Sequence, residues 1–146
     1  MTAPEGLEKF VERSHIALDA FARGDATPMK ELYAHTDDAT LANPWGPAVR
    51  GWARVAGRAD EAATKFRDGT MHGAERVATY AAPELATILE VEHWRARLLG
   101  RAELSDFDLR VSTTFRRERD GWRIVLRHAD HITTDNPEGP LRRTGP

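Results

Sequence analysis

FDLRVSTTFRRERDGWRIVLRHADHI, residues 107–132, decides how this chain folds. Two runs with period-two alternation flank Asp120-Gly121, a dipeptide suited to the positive φ angles of a tight turn. The stretch therefore reads as a long antiparallel β-hairpin. Phe107, Leu109, Val111 and Phe115 alternate with Asp108, Arg110, Ser112 and Arg116, and Trp122, Ile124 and Leu126 alternate with Arg123 and Arg127. One face of each strand is thus built for burial. Continuing two residues at a time places His128 and then Asp130 on that apolar face, where polar groups need partners or a function.

A chain of 146 residues fits one domain and is long enough to bury a sizeable core. Its 21 Lys and Arg are interspersed with 23 Asp and Glu, so no face reads as a nucleic-acid or anionic-membrane surface. With no cysteine, thiol catalysis, disulfides and Cys-ligated zinc are excluded. No apolar run approaches the roughly 20 residues that span a bilayer, and the N-terminus lacks a leader pattern. The expectation is a soluble, cytoplasmic protein.

Outward from the hairpin, three helices precede the strands. The first starts at the capping-box pair Thr2 and Glu5, carries Leu7, Phe10, Val11, Leu18 and Phe21 at three- and four-residue spacing, and ends at Gly24. His15 flanks its apolar stripe. Thr27-Pro28 opens a short second helix, with Met29, Leu32 and Tyr33 inward, stopping near Asp37-Asp38. A brief strand over 39–43 meets the Pro44-Trp45-Gly46-Pro47 turn, whose prolines forbid regular structure. A third helix is expected over Trp52 to Asp68 with Gly69 as terminator. Strands follow over 70–81 and 84–99. In the latter, apolar residues fall on both faces, so the register decides which of Glu90, Glu92 and His93 points inward. The order predicts an α+β fold with helices gathered on one side of an antiparallel sheet. Residues 1–135 form the domain, and 136–146, rich in Pro and Gly, form an extended or disordered tail.

The run from Ala22 to Gly46, with Gly24-Asp25, Leu32-Tyr33, Asp38-Ala39-Thr40 and Asn43-Pro44-Trp45-Gly46, resembles the first third of SnoaL-like and ketosteroid-isomerase-like proteins of the nuclear transport factor two-like superfamily. Asp120-Gly121-Trp122-Arg123-Ile124-Val125 and His128-Ala129-Asp130 are similar to the last two strands of that group. The resemblance implies three N-terminal helices packed in a strongly curved antiparallel sheet, a cone-shaped α+β barrel enclosing an apolar pocket, with homodimerisation through the outer sheet face. It does not carry the isomerase site across. The position of that group's aspartate base is held by Asn43, the helix-one tyrosine falls near Ala17, and the protonated aspartate falls at or near Thr113. Steroid isomerisation by that mechanism is not expected.

A different constellation could occupy the same pocket. On the hairpin faces as read, Thr113, His128 and Asp130 share the enclosed side, with Asn43 near the mouth and Trp45, Trp94 or Trp122 as walls. His128 would transfer protons. Asp130 lies about 7 Å along the same strand, so Glu92 on a neighbouring strand is the better partner. Arg110 would complete the cluster if the register slipped by one, and His15 is a further polar candidate for the pocket. His128 and His131 point to opposite faces, so no shared metal site is expected. Two classes of function remain open: a cofactor-independent acid/base enzyme of the isomerase, cyclase or hydrolase type acting on a small apolar molecule, and a non-catalytic module for hydrophobic-ligand binding or dimerisation.

Overall fold

The helices form where the three- and four-residue apolar spacing predicts them, and their ends differ. In a computed structural model that describes residues 3–137 and Gly139, helix α1 spans Leu7–Ala22 and buries Leu7, Phe10, Val11, Ser14, Ala17 and Leu18 along one stripe. Gly6, at φ 79°, precedes its first turn, and no side chain among the described residues caps it. Thr2 of the expected capping box lies outside the described residues. Gly24 ends the helix at φ 93°, a left-handed angle that favours glycine.

Helix α2 spans only Thr27–Leu32. Asp25 Oδ1 accepts the Thr27 N–H at 3.0 Å. Tyr33 then turns into an extended conformation, and the Ala34 N–H donates to the carbonyl of Ile124 at 2.8 Å. That tie to the sheet stops the helix well before Asp37-Asp38. Strands β1 (Thr40–Asn43) and β2 (Gly46–Arg50) follow. Pro47, expected to forbid regular structure, lies within β2, which is an edge strand where a missing N–H costs no ladder bond.

Helix α3 runs over Trp52–Ala63, short of the expected end at Asp68, and the chain enters β3 (Phe66–Ala81) directly. Gly69 is a strand residue rather than a helix terminator. A Cβ there would meet the Arg95 carbonyl oxygen at 2.4 Å, so glycine permits the close approach of β3 to the next strand. Strands β4 (Leu85–Leu98), β5 (Leu104–Glu118) and β6 (Gly121–Asp130) complete the sheet.

Among the described residues the six strands lie in the order β2-β1-β6-β5-β4-β3. The sheet is strongly curved but unclosed, with β2 and β3 as its edges, and it is not antiparallel throughout, because β1 runs parallel to β6. Three register shifts in the β3–β4 pairing bend β3 over the helices. The core fills the concave side, where the Phe10 and Phe115 rings meet edge to face at 5.8 Å. None of the described helices is long and apolar enough to cross a membrane. Most of the tail, residues 138 and 140–146, lies outside the described residues.

Two strands fix which side chains enter the concave side. Strand β4 pairs with β5 without a register shift, so Ala86, Ile88, Glu90, Glu92, Trp94 and Ala96 are all buried while His93 faces out. Strand β6 carries a β-bulge. Thr114 pairs with Leu126 and Phe115 with Ile124, leaving Val125 as the extra residue. Before it, Trp122 and Ile124 point inward; after it, Arg127 and Ala129 do. The extra residue inverts the expected faces of the strand's second half.

Candidate functional site

Helices and sheet leave a cavity of about 50 Å³ between them. Its walls are mostly apolar: Leu18 and Phe21 from α1, Met29 from α2, Ala59 and Ala62 from α3. Leu41, Leu109 and Ala129 supply the sheet side. An aromatic stack closes one flank, with Phe66 against Trp94 at 5.7 Å and against Phe107 at 5.9 Å. Asn43, Pro44 and Trp45 form the mouth. Asn43 Oδ1 accepts the Trp45 N–H at 3.1 Å, so that side chain holds its own turn. The Trp45 ring meets Phe66 edge-on at 6.2 Å and is 39% exposed, with the Lys65 ammonium 5.5 Å above it.

One end of the cavity is polar. Arg127, brought inward by the bulge, donates from Nη1 to Glu92 Oε2 and from Nη2 to Glu92 Oε1, both at 2.8 Å. The Trp94 Nε1–H donates to Glu92 Oε1 at 3.1 Å. The carboxylate thus accepts three hydrogen bonds, which is what lets a charge remain buried. Burial works against the charge on Arg127, but Glu92 more than offsets it and raises the guanidinium pKa above its ordinary value. Tyr33, from the segment after α2, lines the same cavity, and its buried hydroxyl has no hydrogen-bond partner among the described residues. Burial pushes this phenol well above its usual pKa, with Arg127 opposing weakly, so the hydroxyl keeps its proton.

The residues named from sequence separate into four places. Asn43, Trp45 and Trp94 line the cavity, and Glu92 lies behind it as the partner of Arg127. Thr113 is buried on the same concave face, in register with Arg127. His128 and Asp130 do not share the enclosed side. The Val125 bulge turns both to the convex face, where His128 is exposed and Asp130 accepts from Arg110 Nε at 3.1 Å and from Nη2 at 2.8 Å. Arg110 is therefore also outside the cavity, and Glu92 partners Arg127 rather than His128. Trp122 packs at the start of α1, donating from Nε1 to the Glu5 carbonyl at 3.0 Å. His15 belongs to a separate network, its Nε2 lying 2.8 Å from Glu90 Oε1, with Arg76 Nε donating to Glu90 Oε2 at 3.0 Å.

Arg127 and Tyr33 are the two residues of this end that sequence reasoning did not single out. The signal for the first was present: Ile124-Val125-Leu126 is three consecutive apolar residues in a strand otherwise alternating, the mark of an inserted position. The spacing of Met29, Leu32 and Tyr33 places the Tyr33 ring inward, but nothing in it shows that the hydroxyl lacks a partner.

A curved sheet cupping helices is the cystatin-like α+β arrangement of the nuclear transport factor 2-like superfamily. Within that class the chain belongs to the SnoaL-like domain family, whose model matches residues 15–131. A nuclear transport factor 2-like superfamily protein from Salmonella enterica is similar in structure at TM-score 0.71 and 19% identity, covering 88% of this chain and 89% of that one. A ketosteroid isomerase-like protein from Erwinia carotovora matches at TM-score 0.70 and 17% identity, over 88% of this chain and 95% of that chain. An NTF2-like protein with a cystatin-like fold from Novosphingobium aromaticivorans matches at TM-score 0.64 and 19% identity, covering 91% and 84%. At these identities the likeness is one of fold. No curated protein matches the chain.

Proposed function

We propose that this protein binds a small, mostly apolar molecule in the cavity beneath Trp45. The observation that carries the reading is an apolar-walled cavity between helices and sheet, lined by Leu18, Met29, Leu41 and Leu109 and reached beside the partly exposed Trp45 ring. An acid/base enzyme at this site would use Tyr33 as proton donor to a substrate oxygen. Its base would have to be Glu92, whose oxygens are already taken up by Arg127 and Trp94. Asn43, at the mouth, accepts no proton near neutral pH. These two facts favour binding over proton transfer.

The test is a calorimetric and thermal-shift screen of molecules of roughly two to four heavy atoms, a size matched to a cavity about a third of the ~150 Å³ that holds benzene. Ala62→Leu, which adds volume at the wall, is the control. Saturable binding that the variant loses supports the reading; binding that the variant retains argues against it. The enzymatic alternative has its own readout, exchange of ketone α-protons in deuterated water. Exchange lost in Tyr33→Phe would restore it.

The proposal includes a homodimer through the convex sheet face, in a cytoplasmic setting. That face exposes Val77 and Tyr80 on β3, at 61% and 69%, beside half-buried Leu89 and Val91 on β4. Apolar groups gathered on a sheet face favour a partner surface. Sedimentation at micromolar concentration reads this directly, and a monomer would contradict it.

A further inference from the structure

We propose that the groove between the start of α1 and the β5–β6 turn docks an acidic peptide segment of a partner protein, its carboxylates on four uncompensated cations and an apolar residue on Ile16. The groove measures about 530 Å³ and shares no lining residue with the cavity beneath Trp45. Lys9 and Arg13, one turn apart on α1, line one wall, and Arg117 and Arg119, at the end of β5 and in the turn, line the other. The four are scattered in sequence and gathered only by the fold. All are exposed, and none forms an ion pair with a described residue.

Aromatic faces hold the two central arginines where carboxylates would otherwise do so. Arg117 Cζ lies 4.9 Å over the Trp122 ring and Arg13 Cζ 5.5 Å over the Phe10 ring. A guanidinium held by a ring face keeps its in-plane N–H donors free for an acceptor. Arg117 uses only one nitrogen, donating from Nη2 to the Glu5 carbonyl at 2.7 Å. Like charges at four-residue spacing on a helix repel, and an anion seated between the walls removes that repulsion. Two carboxylates, Glu5 and Glu118, also line the groove, and Glu118 is already met by Arg116 Nη2 at 3.4 Å. These acids interrupt the positive surface. The closely spaced phosphates of a nucleic acid would be set against them, whereas a peptide can space its carboxylates to avoid them. Ile16, 72% exposed, lies two turns beyond Lys9 on the same face of α1. From Lys9 to Ile16 is about 10 Å, the length of roughly three extended residues, so a short acidic run with an apolar end fits this line.

The Trp122 Nε1–H lies in the groove and the Trp94 ring in the cavity, so a proton–nitrogen correlation spectrum of the full chain tells the two sites apart. The probes are a capped peptide of four glutamates and two leucines, its four-glutamine analogue, an analogue ending in two alanines, and hexathymidylate. The glutamate peptide is expected to shift the Trp122 signal saturably, leaving Trp94 unmoved, and the glutamine peptide to leave both unmoved. Lys9→Gln/Arg119→Gln removes one cation from each wall, and neither side chain has a hydrogen-bond partner among the described residues, so the variant is expected to melt with the parent. Its affinity for the glutamate peptide is expected to fall about fivefold, and the alanine-ended peptide to bind the parent about threefold more weakly than the leucine-ended one. Equal affinity in parent and variant, saturable binding of the glutamine peptide, or no shift with any probe overturns the proposal. Tighter binding of hexathymidylate than of the glutamate peptide overturns a peptide partner and assigns the groove to nucleic acid. Equal binding of the alanine-ended and leucine-ended peptides overturns the part given to Ile16.

Discussion

The Arg127 guanidinium and the Glu92 carboxylate, 35 positions apart in sequence, face each other across the concave side of the sheet in a bidentate pair with both N–O distances at 2.8 Å. Glu92 is 2% exposed and Arg127 8%. Removing one partner leaves the other charged and dry. Glu92→Ala is therefore expected to cost about 3–5 kcal/mol. The double variant Glu92→Leu/Arg127→Met, which removes both charges, is expected to recover most of that loss. Urea denaturation of the four members of the cycle checks this. Single variants costing no more than a surface change would contradict the pair's burial.

The fold was legible because its signals are local. Alternation marks the hairpin, Gly24 ends α1, Pro28 opens α2, and the order of helices before strands gives the class. The site was only half legible, and for one physical reason. A strand's side chains alternate with period two, so a single inserted residue at Val125 exchanges everything beyond it between the faces. Arg127, read as solvated, is buried, and His128, read as enclosed, is exposed. On β4, where no insertion intervenes against β5, Glu90, Glu92 and Trp94 follow one another on a single face, and fixing one of them fixes the rest. Helix ends at Leu32 and Ala63 were set by contacts with the sheet that no local pattern contains.

The bulge makes adjacent residues respond oppositely to truncation. His128→Ala is expected to change unfolding free energy by less than about 0.5 kcal/mol, the usual range for a surface site. Arg127→Ala is expected to cost at least about 3 kcal/mol. Denaturation curves of the two variants measure this, and the reverse ranking would place the register of β6 one residue away from where it is described.

Stability should depend on pH through His15 and Glu90. The Glu90 hydrogen bond, against opposition from burial and from the nearby Arg76, raises the folded-state pKa of His15 above its ordinary 6.5, with Glu92 adding to the rise. Folding then binds a proton more tightly, so this contribution is fully present below about pH 6.5 and is lost as pH rises through the raised value. Burial pushes Glu90 up, yet its hydrogen bonds from His15 and Arg76 outweigh that and hold it below its ordinary 4.5. Its contribution is present above about pH 4.5 and is lost as pH falls through the lowered value. Comparing the parent with His15→Gln from pH 5 to 9, on the order of one buffer per pH unit, the advantage of the parent is expected to shrink above about pH 6.5. A difference constant across that range would show that His15 does not titrate against Glu90.

The four tryptophan indoles report on the cavity individually, because Trp45 and Trp94 line it while Trp52 and Trp122 do not. A proton–nitrogen correlation spectrum of the full chain titrated with acetone, a molecule small enough for the cavity, follows all four Nε1–H signals at once. Saturable shifts of the Trp94 and Trp45 signals, with those of Trp52 and Trp122 unmoved, are expected if the molecule enters beneath Trp45 and reaches the Arg127–Glu92 end. No shift in any of them, or equal drift in all four, would contradict the cavity as the place where this protein binds its ligand.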